Sequence, residues 1–266
     1  MDKTAIINDY PYHVRIVGEG KPTWVFFHGF MGSYAEFEQI APQGTRVYID
    51  LLGFGNQAPV VADAPRFSAE NQVKDLVALF DLFDLHDIRL VGYSMGARLA
   101  LAFAMMQPAY VSHLYLESGT AGLADIDARQ ARVAADAEKA QRIETAGMAK
   151  FVADWEQLPL FASQQQLSLT QQQFMHEQRV NQTAANVANS LRYFGTGAMP
   201  NYWDDLATLL VPVTLITGEN DQKFDRLNAD MATRLPNVRR VIVPGAGHNV
   251  HFENGAAVVA ALQAEV

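Results

Sequence analysis

The chain has no cysteine, which excludes a disulfide framework, a thiolate metal site and a cysteine nucleophile. Positive charge is also scarce. Against 29 Asp and Glu there are 20 Lys and Arg, a net charge of −9, so no basic stripe can track a phosphate backbone and neither nucleic acid nor an anionic membrane surface is an expected partner. Long apolar runs are missing too. The richest, LALAFAMM, falls far short of the roughly 20 residues that cross a bilayer, and the opening MDKTAIINDYPYHVR has no apolar signal segment. The expectation is a soluble cytoplasmic protein with no membrane insertion. Zinc-type His/Glu spacing, a phosphate loop and a calcium loop are likewise absent, so no metal and no cofactor is expected. One decoy is GFGNQA, Gly53 to Ala58, which matches the dinucleotide fingerprint G-x-G-x-x-A. Pro59 and the unpatterned VVADAP behind it leave no helix N-terminus for a pyrophosphate.

What is present is a 266-residue chain, 49% hydrophobic, large enough for one sizeable α/β domain. Short runs rich in β-branched and aromatic residues read as strands: HVRIVG, TWVFFHG, RVYIDL, IRLVGYS, HLYLES, VTLITGE and RRVIVPGA. Helix-period segments lie between several of them. From Ser68 to Asp84, with Ser68 as N-cap, Val73, Leu76, Val77, Phe80 and Phe83 share one face. This alternation predicts a mostly parallel central sheet flanked by helices. It breaks between residues 121 and 200, where Ala, Gln, Arg and Glu take over. That stretch reads as a helical cap inserted into a core of residues 1–120 and 201–266, with the sheet pattern resuming near Leu206.

The most specific signal is VGYSMGARLA, Val91 to Ala100. A serine between a strand and a helix, with glycine two residues away on each side, marks a sharp, strained turn that holds its hydroxyl proud of the sheet. Ser94 is therefore the candidate nucleophile, and its weak hydroxyl calls for a histidine and an orienting acid later in the chain. Asp221 in GENDQKF and His248 in GAGHNVHFEN follow strands in the required order. Glu219, Asp225 and Glu117 are alternative acids, and His251 is an alternative base. In HGFMG, after TWVFF, the backbone N–H of Phe30 can pair with that of Met95 to form an oxyanion hole. His28 reads as a residue that shapes this loop. Arg98, one turn beyond Ser94, carries a charge it cannot lose and so points to a carboxylate ligand rather than a neutral ester.

These elements resemble the α/β-hydrolase superfamily over essentially the whole chain. Within it, ESGTAGLADIDARQARVAADAE, FVADWEQLPLFAS and HEQRVNQTAANVANSL are similar to the cap of the 2-succinyl-6-hydroxy-2,4-cyclohexadiene-1-carboxylate synthases of menaquinone biosynthesis. That resemblance implies a lyase acting on a small molecule with three carboxylates, which sit on a ring, a succinyl arm and an enolpyruvyl group. By motif register it places substrate-binding roles on Arg98, Arg132, Arg179, Trp155 and Tyr93. Register alone separates Arg132 from Arg129. The chain departs from the superfamily pattern D-L-P-G-H-G-x-S in DLLGFGNQ, where Leu52, Phe54 and Gln57 replace Pro, His and Ser, and Ala97 stands where a second glycine is common. Residue spacing by itself also admits a carboxylesterase, a carbon–carbon bond hydrolase, or a receptor that binds a small acid without turnover.

Overall fold

The computed structural model describes residues 1–56 and 58–264, so Gln57 lies outside the described residues. Asp2–Ile7 (β1) and Tyr10–Val17 (β2) form an antiparallel hairpin in the register Ala5 to Tyr12. Its turn residues Asn8 and Asp9 sit at φ 49° and 62°, a left-handed conformation that Asn and Asp tolerate. β1 has no counterpart among the expected strands, because only Ala5 and Ile7 of its residues are buried and the apolar alternation is short.

Six further strands are Thr23–Phe27 (β3), Thr45–Ile49 (β4), Ile88–Tyr93 (β5), Val111–Glu117 (β6), Val213–Gly218 (β7) and Val238–Val243 (β8). They complete one sheet in the order β1-β2-β4-β3-β5-β6-β7-β8, parallel from β4 to β8. Every residue of β3 is buried, and its side chains divide by strand period between two layers. Val25 and Phe27 join a cluster with the helices Ala69–Leu82 (α1) and Met95–Met106 (α2). Trp24 and Phe26 face the opposite side. The cap at Ser68 forms as the sequence predicts, its Oγ accepting the Asn71 N–H at 3.4 Å. Val73, Leu76 and Phe80 are buried, while Val77 and Phe83 are only partly so. α2 is apolar on almost every face and packs between sheet and α1, with Leu99, Leu101 and Phe103 at most 1% exposed.

After β6 the chain leaves the sheet and runs through Ile126–Trp155 (α3), a 3-10 segment Pro159–Gln166, Leu169–Val180 (α4) and Ala184–Phe194 (α5), with no strand among the described residues of this stretch. α3 is interrupted at Gly147, whose φ of 81° lets the chain change direction without a Cβ penalty. The sheet pattern resumes later than expected. Leu206–Thr208 is a single 3-10 turn and β7 begins at Val213. Gln222–Ala232 (α6), Val250–Glu253 (α7) and Gly255–Gln263 (α8) complete the chain, α8 burying Val258 and Leu262 against the Trp24 face. No helix among the described residues is long and apolar enough to cross a membrane.

The strand-to-helix junction at the end of β5 has no spare volume. A Cβ on Gly92 would lie 2.6 Å from the carbonyl carbon of Gly96 and 2.7 Å from Cα of Ala97, both backbone atoms that cannot rotate aside. Gly92→Ala should therefore cost about 2 kcal/mol, a fall in Tm of roughly 4–8 °C by scanning calorimetry. An unchanged Tm would show that β5 and α2 are free to separate.

Candidate active site

The site is assembled at the carboxyl ends of the central strands, where the connecting loops of an open parallel sheet converge. Ser94 leaves β5 at φ 51° and ψ −103°, a conformation that a non-glycine residue holds only when its surroundings enforce it. Here the Ser94 N–H donates to the Glu117 carbonyl at 2.8 Å, and the close approach at Gly92 and Gly96 fixes the helix that follows. A side chain on Gly96 would meet the carbonyls of Phe27 and His28. Both glycines of the motif are thus required by backbone contact.

Ser94 Oγ lies 3.0 Å from His248 Nε2, and His248 Nδ1 lies 2.6 Å from Asp221 Oδ2. His248 and Asp221 are 2% and 5% exposed, so water competes little for either bond. Asp221 is also the N-cap of α6, its other oxygen accepting the Phe224 N–H at 3.3 Å, which leaves Oδ2 aimed at the imidazole. The His248 loop is tied down on both sides. Glu253 accepts the N–H of Gly247 at 2.6 Å and of Asn249 at 3.3 Å, and Ser118 Oγ donates to the His248 carbonyl at 2.9 Å. Glu253 also accepts the Ser163 hydroxyl at 3.0 Å, linking this loop to the 3-10 segment of the inserted helices.

The alternative acids and base are engaged elsewhere. Glu117 and His251 bond each other, Nδ1 to Oε1 at 2.9 Å, with Phe37 stacked on the imidazole at 4.0 Å. Glu219 accepts the Gly245 N–H at 2.9 Å, and Asp225 pairs with Arg240 at 2.5 Å. His28 serves the loop. Its Nε2 accepts the Leu51 N–H at 3.0 Å, which leaves Nδ1 to donate to the Gly29 carbonyl at 2.7 Å. Phe54, which stands where a histidine is common, sets its ring against both His28 and Phe30, at 5.8 and 6.0 Å between centroids.

Ser94, Met95, Phe30 and His248 open onto a cavity of about 250 Å³. Tyr93 and Trp155 line it as well, with Tyr93 5.5 Å from the His248 ring and Trp155 between Phe30 and Phe161 at 5.4 and 5.6 Å. Arg98, Arg132 and Arg179 all reach it. Arg129 does not. It donates to the carbonyls of Gly197 and Met199 at 2.8 and 2.9 Å. Of the three arginines at the cavity, two already have a carboxylate: Arg132 bonds Asp136 at 2.7 Å, and Arg179 bonds Glu156 and Gln164 at 2.9 Å each. Arg98 donates to the Phe194 carbonyl at 2.5 Å and lies over that ring. Burial, then the neighbouring Arg132 charge, lowers its guanidinium to about 9, still cationic at neutral pH.

Two ionisable cavity residues escaped the sequence reading. Glu36 belongs to the 3-10 turn Tyr34–Phe37, where no motif marks it, and its Oε2 is buried without a hydrogen-bond partner. Burial raises its carboxyl above the usual range, opposed by the charges of His251 and Arg179. Lys223 lies two residues after Asp221, so the GENDQKF motif contained it without distinguishing it.

An elbow serine and a buried His–Asp pair at the carboxyl ends of a parallel sheet define a class of enzyme scaffold, and the chain belongs to the α/β-hydrolase family, whose family model matches residues 24–261. Within that family it is 42% identical over 233 residues to the putative 2-succinyl-6-hydroxy-2,4-cyclohexadiene-1-carboxylate synthase of Bacillus subtilis (strain 168), covering 86% of this chain and 84% of the relative. It is 32% identical over 246 residues to the synthase of the same name from Klebsiella pneumoniae, covering 91% and 93%. Among solved structures, MenH from S. aureus superposes with a TM-score of 0.88 at 30% identity, covering 94% and 96%.

His28 generates a pH prediction. Burial pushes its imidazole from the ordinary 6.5 down to about 4, so the ring is neutral in the folded protein. The stability it contributes is complete above pH 6.5 and lost as pH falls from 6.5 toward 4, about 3 kcal/mol in all. His28→Asn should lower Tm at neutral pH yet flatten its decline over that window. An equally steep acid limb in the variant would assign the titration to another group.

Proposed function

We propose that the chain is a 2-succinyl-6-hydroxy-2,4-cyclohexadiene-1-carboxylate synthase, a carbon–oxygen lyase that eliminates pyruvate from 2-succinyl-5-enolpyruvyl-6-hydroxy-3-cyclohexene-1-carboxylate. The observation that carries this reading is the Ser94–His248–Asp221 relay opening onto a cavity reached by three arginines, in a chain 42% identical to a relative of that name. In this reading residues 121–200 form a cap over the site, the arginines bind the substrate carboxylates, and Tyr93 and Trp155 pack against its ring.

Converting a 3-cyclohexene into a 2,4-cyclohexadiene defines the electron flow. The C2–H bond beside the succinyl ketone breaks, C2=C3 forms, the ring double bond moves to C4=C5, and the C5–O bond to the enolpyruvyl group breaks. The departing enol takes up a proton and becomes pyruvate. His248 Nε2, held in the accepting tautomer by Asp221, draws the proton from Ser94 Oγ, and Ser94 Oγ takes the C2 proton in its place. Negative charge spreads onto the succinyl carbonyl, where the N–H groups of Phe30 and Met95 receive it. No water and no acyl-enzyme enter the scheme, and no metal or cofactor is needed.

Supplying the enolpyruvyl substrate and following pyruvate together with diene absorbance tests the reading. Ser94→Ala should lower kcat by at least about a hundredfold with Tm little changed, and near-normal turnover would remove its role. Arg132→Ala and Arg179→Ala should act mainly on KM, raising it by roughly tenfold; unchanged parameters in both would dispose of the carboxylate clamp. Hydrolysis of neutral p-nitrophenyl esters faster than any pyruvate release would favour an esterase instead.

A further inference from the structure

Four cationic side chains line the cavity, and three of them already have an acceptor. Arg132 has Asp136, Arg179 has Glu156 and Gln164, and Arg98 has the Phe194 carbonyl. Lys223 differs. Among the described residues it has no recorded ion pair or hydrogen bond, and it is exposed at the rim with its ammonium 5.4 Å from the centroid of Phe224. Phe224 in turn lies 4.6 Å from the His248 ring, so Lys223 stands on the wall that carries the base. Its place in the chain runs against local electrostatics. Lys223 is in the first turn of α6, behind the Asp221 cap, where the helix dipole favours an acid. A cation that is locally disfavoured, has no anionic or hydrogen-bond partner among the described residues and borders the cavity is placed to meet an anion that arrives with the ligand.

We propose that Lys223 binds the carboxylate of the departing enolpyruvyl group, an assignment that rests on the elimination proposed above. The product name itself assigns one carboxylate to the ring and one to the succinyl arm. The third belongs to the fragment that must return to solvent. Arg98 reaches from α2 to the Phe194 carbonyl of α5, is half-buried and anchored there, and suits the part of the ligand that stays in place through the reaction. A lysine at the opening suits the part that leaves. Its ammonium is a compact, strongly hydrated point charge on a flexible stem and makes no rigid two-pronged contact, so it can guide a carboxylate in and let pyruvate go.

The product lacks the carboxylate in question, and this separates specific binding from general damage. Wild-type protein, Lys223→Ala and Lys223→Arg are assayed for pyruvate release, and the purified diene product is titrated as a competitive inhibitor of each. Lys223→Ala should raise KM for the substrate by roughly tenfold with product Ki unchanged within about twofold, and Lys223→Arg should recover most of the loss. The rise in KM should shrink at high salt, since the contact is exposed. An unchanged KM in Lys223→Ala, or a product Ki that shifts in parallel with KM, would overturn the assignment while leaving the elimination intact. A wild-type protein that releases no pyruvate would overturn the elimination and this assignment with it.

Discussion

The structure depends on one close approach: β5 meets α2 through the glycines two residues before and two residues after Ser94. At Gly92 and Gly96 the backbone of the nucleophile helix lies against β5 and against the carbonyls that end β3, at distances that admit no Cβ. That contact forces Ser94 to a positive φ and aims its hydroxyl away from the sheet. It also sets the N-terminus of α2 beside the end of β3, so Met95 and Phe30, from different elements, line one cavity. The burial of α2 on nearly all sides holds this arrangement against the strain. With Leu99, Leu101 and Phe103 enclosed, each worth about 1.5–3 kcal/mol, the helix cannot slide back to relieve one residue.

A second constraint is charge. A protein with net charge −9 has no long-range attraction for a polyanion, so any affinity for carboxylates must come from local placement. The cavity has such placement, with its cations held on fixed anchors. Asp136 and Glu156 hold Arg132 and Arg179 in place, and the Phe194 carbonyl and ring hold Arg98. Glu36 would offset this field if ionised, and burial raises its carboxyl toward the neutral form. The acids around the site thus orient the arginines while leaving Arg98 without a carboxylate of its own.

How much of this could be read beforehand follows from the range of each interaction. The elbow was legible because its determinants lie within five consecutive residues, and α2 runs over the segment that its apolar pattern marks. Asp221 and His248 were legible through strand-end placement, since a parallel sheet brings the ends of β5, β7 and β8 to one edge whatever the loops do. The Arg132–Asp136 pair follows from helical spacing of four, whereas Arg179–Glu156 joins two helices and has no sequence signature. Glu36 and Glu253 are likewise tertiary. β1 was missed because a half-exposed edge strand carries too few apolar residues to show its period.

The same geometry also bears on why a hydrolase scaffold can run an elimination. A serine relay supplies a base with tuned position and a pair of N–H groups for developing negative charge, and both serve enolate formation as well as they serve acyl transfer. What differs is what stands in front of Ser94. An ester hydrolase must admit water to an acyl-enzyme, and its ligand needs no fixed countercharge. Here Phe30, Trp155 and Phe161 pack in series as an apolar wall of the cavity that Ser94 also lines, and cations reach the same cavity. In the proposed elimination that wall keeps water from the serine, and the guanidinium groups hold the charged ring with C2 toward Oγ. Positioning, more than a new reactive group, separates the two chemistries on this fold.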